Sequence, residues 1–141
     1  MLKFTLDVIP RTKKNSGRIV TSKHGRSFLL PSKLYQEFES ECLPTLQRLK
    51  IQHGVIDYPV NVKCTFFMQT KRKVDLANLL NAVDDAFTTA GLLLDDNRDI
   101  VAGHDGSRVF YDKTNPRIEV EITKIENYEQ YFRKNEGKWK F

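Results

Sequence analysis

This chain predicts an α+β fold, a mixed β-sheet with two main helices on one face. Three observations carry that expectation. Residues 58–69 alternate, with Val60, Val62, Cys64, Phe66 and Met68 on one side, as in a strand buried on one face. Residues 75–90 repeat at helical spacing instead: Leu76, Leu79, Leu80, Val83, Ala86, Phe87 and Ala90 fall within an arc of about 120°. Residues 117–124 then alternate again.

The other elements follow in order. Residues 2–9 alternate and read as a first strand, stopped by Pro10. Residues 11–17 form a basic turn with Asn-Ser-Gly chemistry. Residues 17–22 and 26–30 suit short strands around a His24-Gly25 turn. Ser32 caps a helix carrying Leu34, Tyr35, Phe38, Cys42, Leu46 and Leu49, and Pro44 is expected to kink or split it. Asp75 or a neighbour caps the second helix, and Gly91 ends it in the left-handed conformation. Ile100-Val101 and residues 109–111 suit short strands joined by a His104-Asp105-Gly106 turn. After residue 124 the chain turns polar but keeps Tyr128, Tyr131, Phe132 and Trp139, as in a short docking helix or an arm. With 141 residues, one domain is expected.

Composition narrows the function classes. Apolar residues are 40% and charged residues 29%, an ordinary globular mix. No apolar run nears the roughly 20 residues of a membrane span, and the N-terminus lacks a cleavable signal pattern. A cytoplasmic protein with Cys42 and Cys64 as reduced thiols is expected. His24, His53 and His104 are widely spaced without an obvious Asp or Ser partner, which argues against a catalytic triad.

The net charge of +5 is segregated. Residues 8–36 hold Arg11, Lys13, Lys14, Arg18, Lys23, Arg26 and Lys33 with no acid. Residues 75–112 hold eight acidic residues, all Asp. A basic arm neutralises phosphate. Arg11, Lys13, Lys14, Asn15 and Arg18, with the Lys71, Arg72 and Lys73 loop, are therefore the candidate DNA-binding residues. A nucleic-acid-independent interaction module fits the arm poorly.

The candidate chemistry lies between Val74 and Asp99. Asp75, Asn78, Asn81 and Asp85 are spaced by three, three and four, so they share the helix face away from Leu79 and Val83. A short apolar run then delivers Asp95 and Asp96. Mg²⁺ takes hard oxygen ligands, usually one or two carboxylates completed by water and phosphate. Asp is also a common cap and turn residue, so spacing alone leaves a structural reading open.

The segment from Val74 to Leu80, the stretch from Ala82 to Gly91, and the Asp95-Asp96 pair together resemble the signature of the RusA family of Holliday junction resolvases. Ile9-Pro10 followed by Lys13, Lys14 and Asn15 resembles the family's opening, and Asn115-Pro116-Arg117 its end. The likeness spans residues 1–124 and leaves 125–141 as a tail or docking helix of the same domain. It implies a homodimeric endodeoxyribonuclease that resolves four-way junction DNA in recombination and repair, using Mg²⁺ with Mn²⁺ as a substitute. It places catalytic, metal-binding carboxylates at Asp75 and Asp96, with Asp95, Asp85 and Asp99 as further candidate ligands. Two positions depart from the family pattern: Ala77 stands where a second motif Asp is expected, and Asn81 where a Lys is expected. Asp85, Asp99 and Asp105 are candidate replacements for the carboxylate, and Lys73 or Lys113 for the cation. A change that inactivates the chain, native or engineered, is the other account of Ala77. The alternative function is then a catalytically weak branched-DNA-binding protein with the same fold.

Overall fold

The computed structural model describes residues 1–13, 18–30 and 32–126. Lys14, Asn15, residues 127–141 and the side chain of Arg18 lie outside that description, and with them the expected Asn-Ser-Gly turn and the expected docking helix. The sheet has β1 (Leu2–Leu6), β4 (Val60–Met68), β5 (Val101–Gly103), β6 (Arg108–Tyr111) and β7 (Arg117–Lys124). Its order is β1-β7-β4-β5, with β6 also on β4. β1 and β4 run antiparallel to β7, whereas β5 and β6 run parallel to β4, so the sheet is mixed. β2 (Arg18–Thr21) and β3 (Ser27–Leu30) form a separate antiparallel hairpin around Gly25. The two helices are α1 (Lys33–His53) and α2 (Leu76–Thr89).

Alternation sets the layers. Val62, Cys64 and Phe66 stand opposite Ile122, Val120 and Ile118, and all six are buried. The helices cover that face with Tyr35, Phe38, Leu46, Leu79, Val83 and Phe87. The opposite face carries Lys3, Lys63 and Glu121, with Glu121 bridging the lysines at 3.1 and 3.3 Å. Lys3 first, then Lys63, hold the Glu121 carboxyl below the usual range. Cys42 and Cys64 are buried and unpaired, and burial pushes the Cys42 thiol up to about 12.

Three parts of the chain go beyond what the sequence alone specifies. Pro44 neither splits nor ends α1, which is one helix of 21 residues. Pro44 is exposed, and so is Ser40, whose carbonyl loses its intrahelical donor; water can satisfy it. β5 and β6 are the expected short strands joined by a turn, and both lie along the same edge of β4. Asn61 clamps that turn through both its amide groups to Asp105, at 3.1 and 2.8 Å, and Ser107 Oγ accepts from the Cys64 N–H at 3.0 Å. The apolar run at residues 92–94, which delivers Asp95 and Asp96, forms no strand. Leu93 makes an isolated bridge with Ile56, Leu92 and Leu93 are buried, and Leu94 is exposed.

No helix among the described residues is long and apolar enough to cross a membrane.

Candidate active site

α2 builds one wall of the site. Asp75 has extended backbone and its side chain accepts from the Ala77 N–H at 3.0 Å, so it is the N-cap. Leu79, Val83 and Phe87 anchor the opposite side of the helix in the core and fix its rotation. Asn78, Asn81 and Asp85 consequently line one open pocket of about 340 Å³.

The chain returns to this pocket after α2. Gly91, at φ 80°, turns it, and two hydrogen bonds to Ile56, from Leu94 N–H and to Leu92 O, hold the next residues. Asp96 then faces α2 and completes the pocket with Asp85. Partial burial, then the carboxyls of Asp95 and Asp85, raise the Asp96 carboxyl above its ordinary range. Asp95 also accepts the Asp96 N–H at 2.7 Å, which orients the turn.

The pocket's cation is Lys13, whose Nζ lies 3.1 Å from Asp85 Oδ2. Lys13 also sits 5.6 Å from the centre of the Tyr35 ring. Tyr35 is buried beneath it, and its hydroxyl donates to the Ala82 carbonyl at 3.5 Å. Burial, with the carboxylates of Glu39 and Asp85, keeps that hydroxyl neutral well past the usual phenol range. Tyr35 is thus a core residue, as the sequence suggests, that also floors the site.

Asp75 occupies a neighbouring cleft of about 390 Å³ with Arg11, Arg72, Lys73 and Asn78. Asn78 is common to both spaces. Ten residues of helix separate Asp75 from Asp85 by about 15 Å. The two hollows thus meet at Asn78, with the acidic pair lining one and Asp75 and the basic loop lining the other.

The remaining candidates are elsewhere. Asp99 takes its backbone N–H into a local turn with Asn97, and Asp105 belongs to the turn clamped by Asn61. Lys71 lies over the Tyr111 ring, 5.1 Å from its centre. Lys113 is in the exposed turn after β6. Among the described residues no three His, Cys, Asp or Glu side chains converge closely enough to hold a metal by themselves. One histidine does have an acidic partner that the sequence reading missed. His104 Nε2 lies 2.8 Å from Asp84 Oδ2, and Asp84 is buried with Oδ1 unpartnered among the described residues. Asp84 follows Leu80 by four and precedes Phe87 by three, spacing that already marked it as facing the core. It points about 100° around α2 from Asp85, away from the pocket.

An α+β domain that combines paired carboxylates, lysine and a basic cleft has the make-up of a phosphate-handling hydrolase. Residues 7–123 match the family model of endodeoxyribonuclease RusA, and the chain belongs to that family. The match takes in both helices and every side chain of the two hollows named above. No curated protein matches the chain.

Proposed function

We propose that this protein is a Mg²⁺-dependent, structure-specific endodeoxyribonuclease that resolves Holliday junctions in recombination and repair, and that it works as a homodimer. The observation that carries this is the Asp85–Asp96 carboxylate pair beside Lys13, in a pocket that shares Asn78 with the cleft of Asp75 and the basic loop.

The donor set fits a hard divalent cation. Asp96 is pressed by the neighbouring carboxylates, and a bound cation would relieve that repulsion. Asp96 and Asp85 would hold the ion, with the Asn78 and Asn81 side chains as neutral oxygen donors beside them. Two carboxylates, with water and a phosphate oxygen, are enough for Mg²⁺. When bound, the ion supplies an activated water and neutralises charge on the leaving oxygen. Arg11, Arg72 and Lys73 hold the backbone phosphates in the cleft. Lys13 neutralises charge at the acidic end, the task that Asn81 cannot perform. Asp75 keeps a third carboxylate on the path of the DNA.

The test is a Mg²⁺ or Mn²⁺ titration with a labelled four-way junction and a matched linear duplex. Metal-dependent, paired cuts in the junction and little cutting of the duplex are expected. Equal cutting of both substrates would reject structure specificity.

Ala77 supports a second reading, a weakly catalytic branched-DNA-binding protein. Its methyl group is exposed on the first turn of α2, where the family pattern has a carboxylate. If the chain binds junctions without cutting, recovery of cutting in Ala77→Asp would identify that position as the lesion.

A further inference from the structure

We infer that two copies of this chain join through the outer edge of β6, antiparallel and with Phe110 on the two-fold axis. The inference deepens the homodimer reading above and says where the copies meet.

The main-chain geometry of β6 comes first. Its inner side pairs with β4, Thr65 to Met68 standing beside Arg108 to Tyr111. The Asp112 N–H donates to the Met68 carbonyl at 2.9 Å, so residue 112 directs its polar groups inward. Successive residues of a strand alternate, so residue 110 also points inward, while Val109 and Tyr111 point their N–H and C=O groups outward. Among the described residues no strand pairs with that outer side. An open edge of this kind is a template for another strand.

The side chains then select the partner and register. Phe110 and Tyr111 are 52% and 44% exposed, among the larger apolar side chains left at the surface. Phe110 stacks on Phe67 with ring centres 5.7 Å apart, and Arg117 lies over the Phe67 ring, 3.7 Å from its centre. Phe110 is therefore held in place with much of its surface unmatched. A second β6, antiparallel and centred on Phe110, sets Val109 of one copy opposite Tyr111 of the other. Those residues carry the outward backbone groups, so each such pair exchanges two hydrogen bonds. The same register sets Arg108 opposite Asp112 of the second copy, twice by symmetry, where Asp112 also accepts from its own Arg117 at 3.0 Å. Centring the pair on Val109 would keep outward residues opposite each other but set Arg108 against Phe110 in place of Asp112. The open backbone groups allow the Phe110-centred arrangement and the charge pattern favours it, giving the self-complementary pairing that a two-fold interface requires. A strand this short makes a modest interface, in keeping with micromolar association.

The experiment uses the full chain without DNA or metal, so its outcome is independent of nuclease activity. Sedimentation of the parent protein should show a monomer–dimer equilibrium. Val109→Pro removes one outward N–H per copy and should weaken association by at least about tenfold. Arg108→Glu places like charges opposite each other and should also weaken it. Phe110→Cys should form an intermolecular disulfide on mild oxidation, because non-hydrogen-bonded antiparallel pairs have the short Cα separation that the bond needs. Tyr111→Cys should not, since Val109 faces it. Cys42 and Cys64 are both fully buried and provide a silent background. A parent protein that stays monomeric overturns the inference. So does a dimer that is indifferent to all these changes and forms no cross-link in the Phe110→Cys variant, or one that appears only after residues 127–141 are removed.

Discussion

Lys13 spans 72 positions of sequence to place its ammonium 3.1 Å from the Asp85 carboxylate. The pair is roughly half-exposed on the lysine side, so its contribution to folding is small, well under about 1 kcal/mol. Its meaning is positional: the basic arm ends on the acidic pocket. Lys13→Ala should leave the melting temperature nearly unchanged and weaken junction binding. The log–log salt slope should flatten by about 0.9 if Lys13 neutralises one phosphate. Binding titrations across a salt series read this directly, and an unchanged slope would remove Lys13 from the DNA contact.

Asp96 supplies a pH signature. Its carboxyl is raised by partial burial and by Asp95 and Asp85. A group raised in the folded state stabilises the fold while protonated, and that contribution is lost as pH rises through its folded value. At neutral pH ionised Asp96 therefore works against folding. Asp96→Asn should raise the melting temperature slightly at pH 7. The gain should vanish below the ordinary Asp range, where both side chains are neutral. Thermal melts at several pH values test the sign.

Asp75 combines a structural and a proposed chemical role, and two substitutions separate them. Asn caps a helix about as well as Asp, whereas Ala costs about 1 kcal/mol. Asp75→Asn should melt with the parent protein but cleave poorly, while Asp75→Ala should lose stability as well. Full cleavage by the Asn variant would reduce Asp75 to its cap.

His104 and Asp84 tie the β5–β6 turn to α2, on the far side of the helix from the pocket. Removing the imidazole leaves a buried carboxylate short of its remaining partner. His104→Ala should therefore destabilise by about 1–3 kcal/mol. Cleavage by the folded protein should persist, as measured below the new melting temperature. Loss of cleavage without loss of stability would assign His104 to the chemistry instead.

Much of this fold was legible because its elements carry their own periodicity. β4 and β7 bury alternate residues, and α2 has an apolar face with a cap at Asp75 and a glycine stop at Gly91. Pro44 left open whether the helix would split, because its cost depends on whether the orphaned carbonyl reaches water. β5 and β6 were legible as short strands around a turn, but their shared partner, the distant β4, was not. The pocket face of α2 could be read from the spacing of Asn78, Asn81 and Asp85. The approach of Asp96 to Asp85 could not, since it depends on the path after Gly91 and the Ile56 bridge. Lys13 as the pocket's cation was equally hidden; Lys73 and Lys113, nearer in sequence, lie outside the pocket. The Asp84 partnership had a signal in its spacing from Leu80 and Phe87, but its histidine is supplied by another element.

The central claim is that Asp85 and Asp96 form the metal-binding pair of a junction nuclease. Asp85→Asn and Asp96→Asn preserve size and remove charge, so each variant should fold and bind a four-way junction in Ca²⁺ at least as tightly as the parent protein. In Mg²⁺ each should cut that junction orders of magnitude more slowly. Cleavage near the parent rate by both variants would contradict the account.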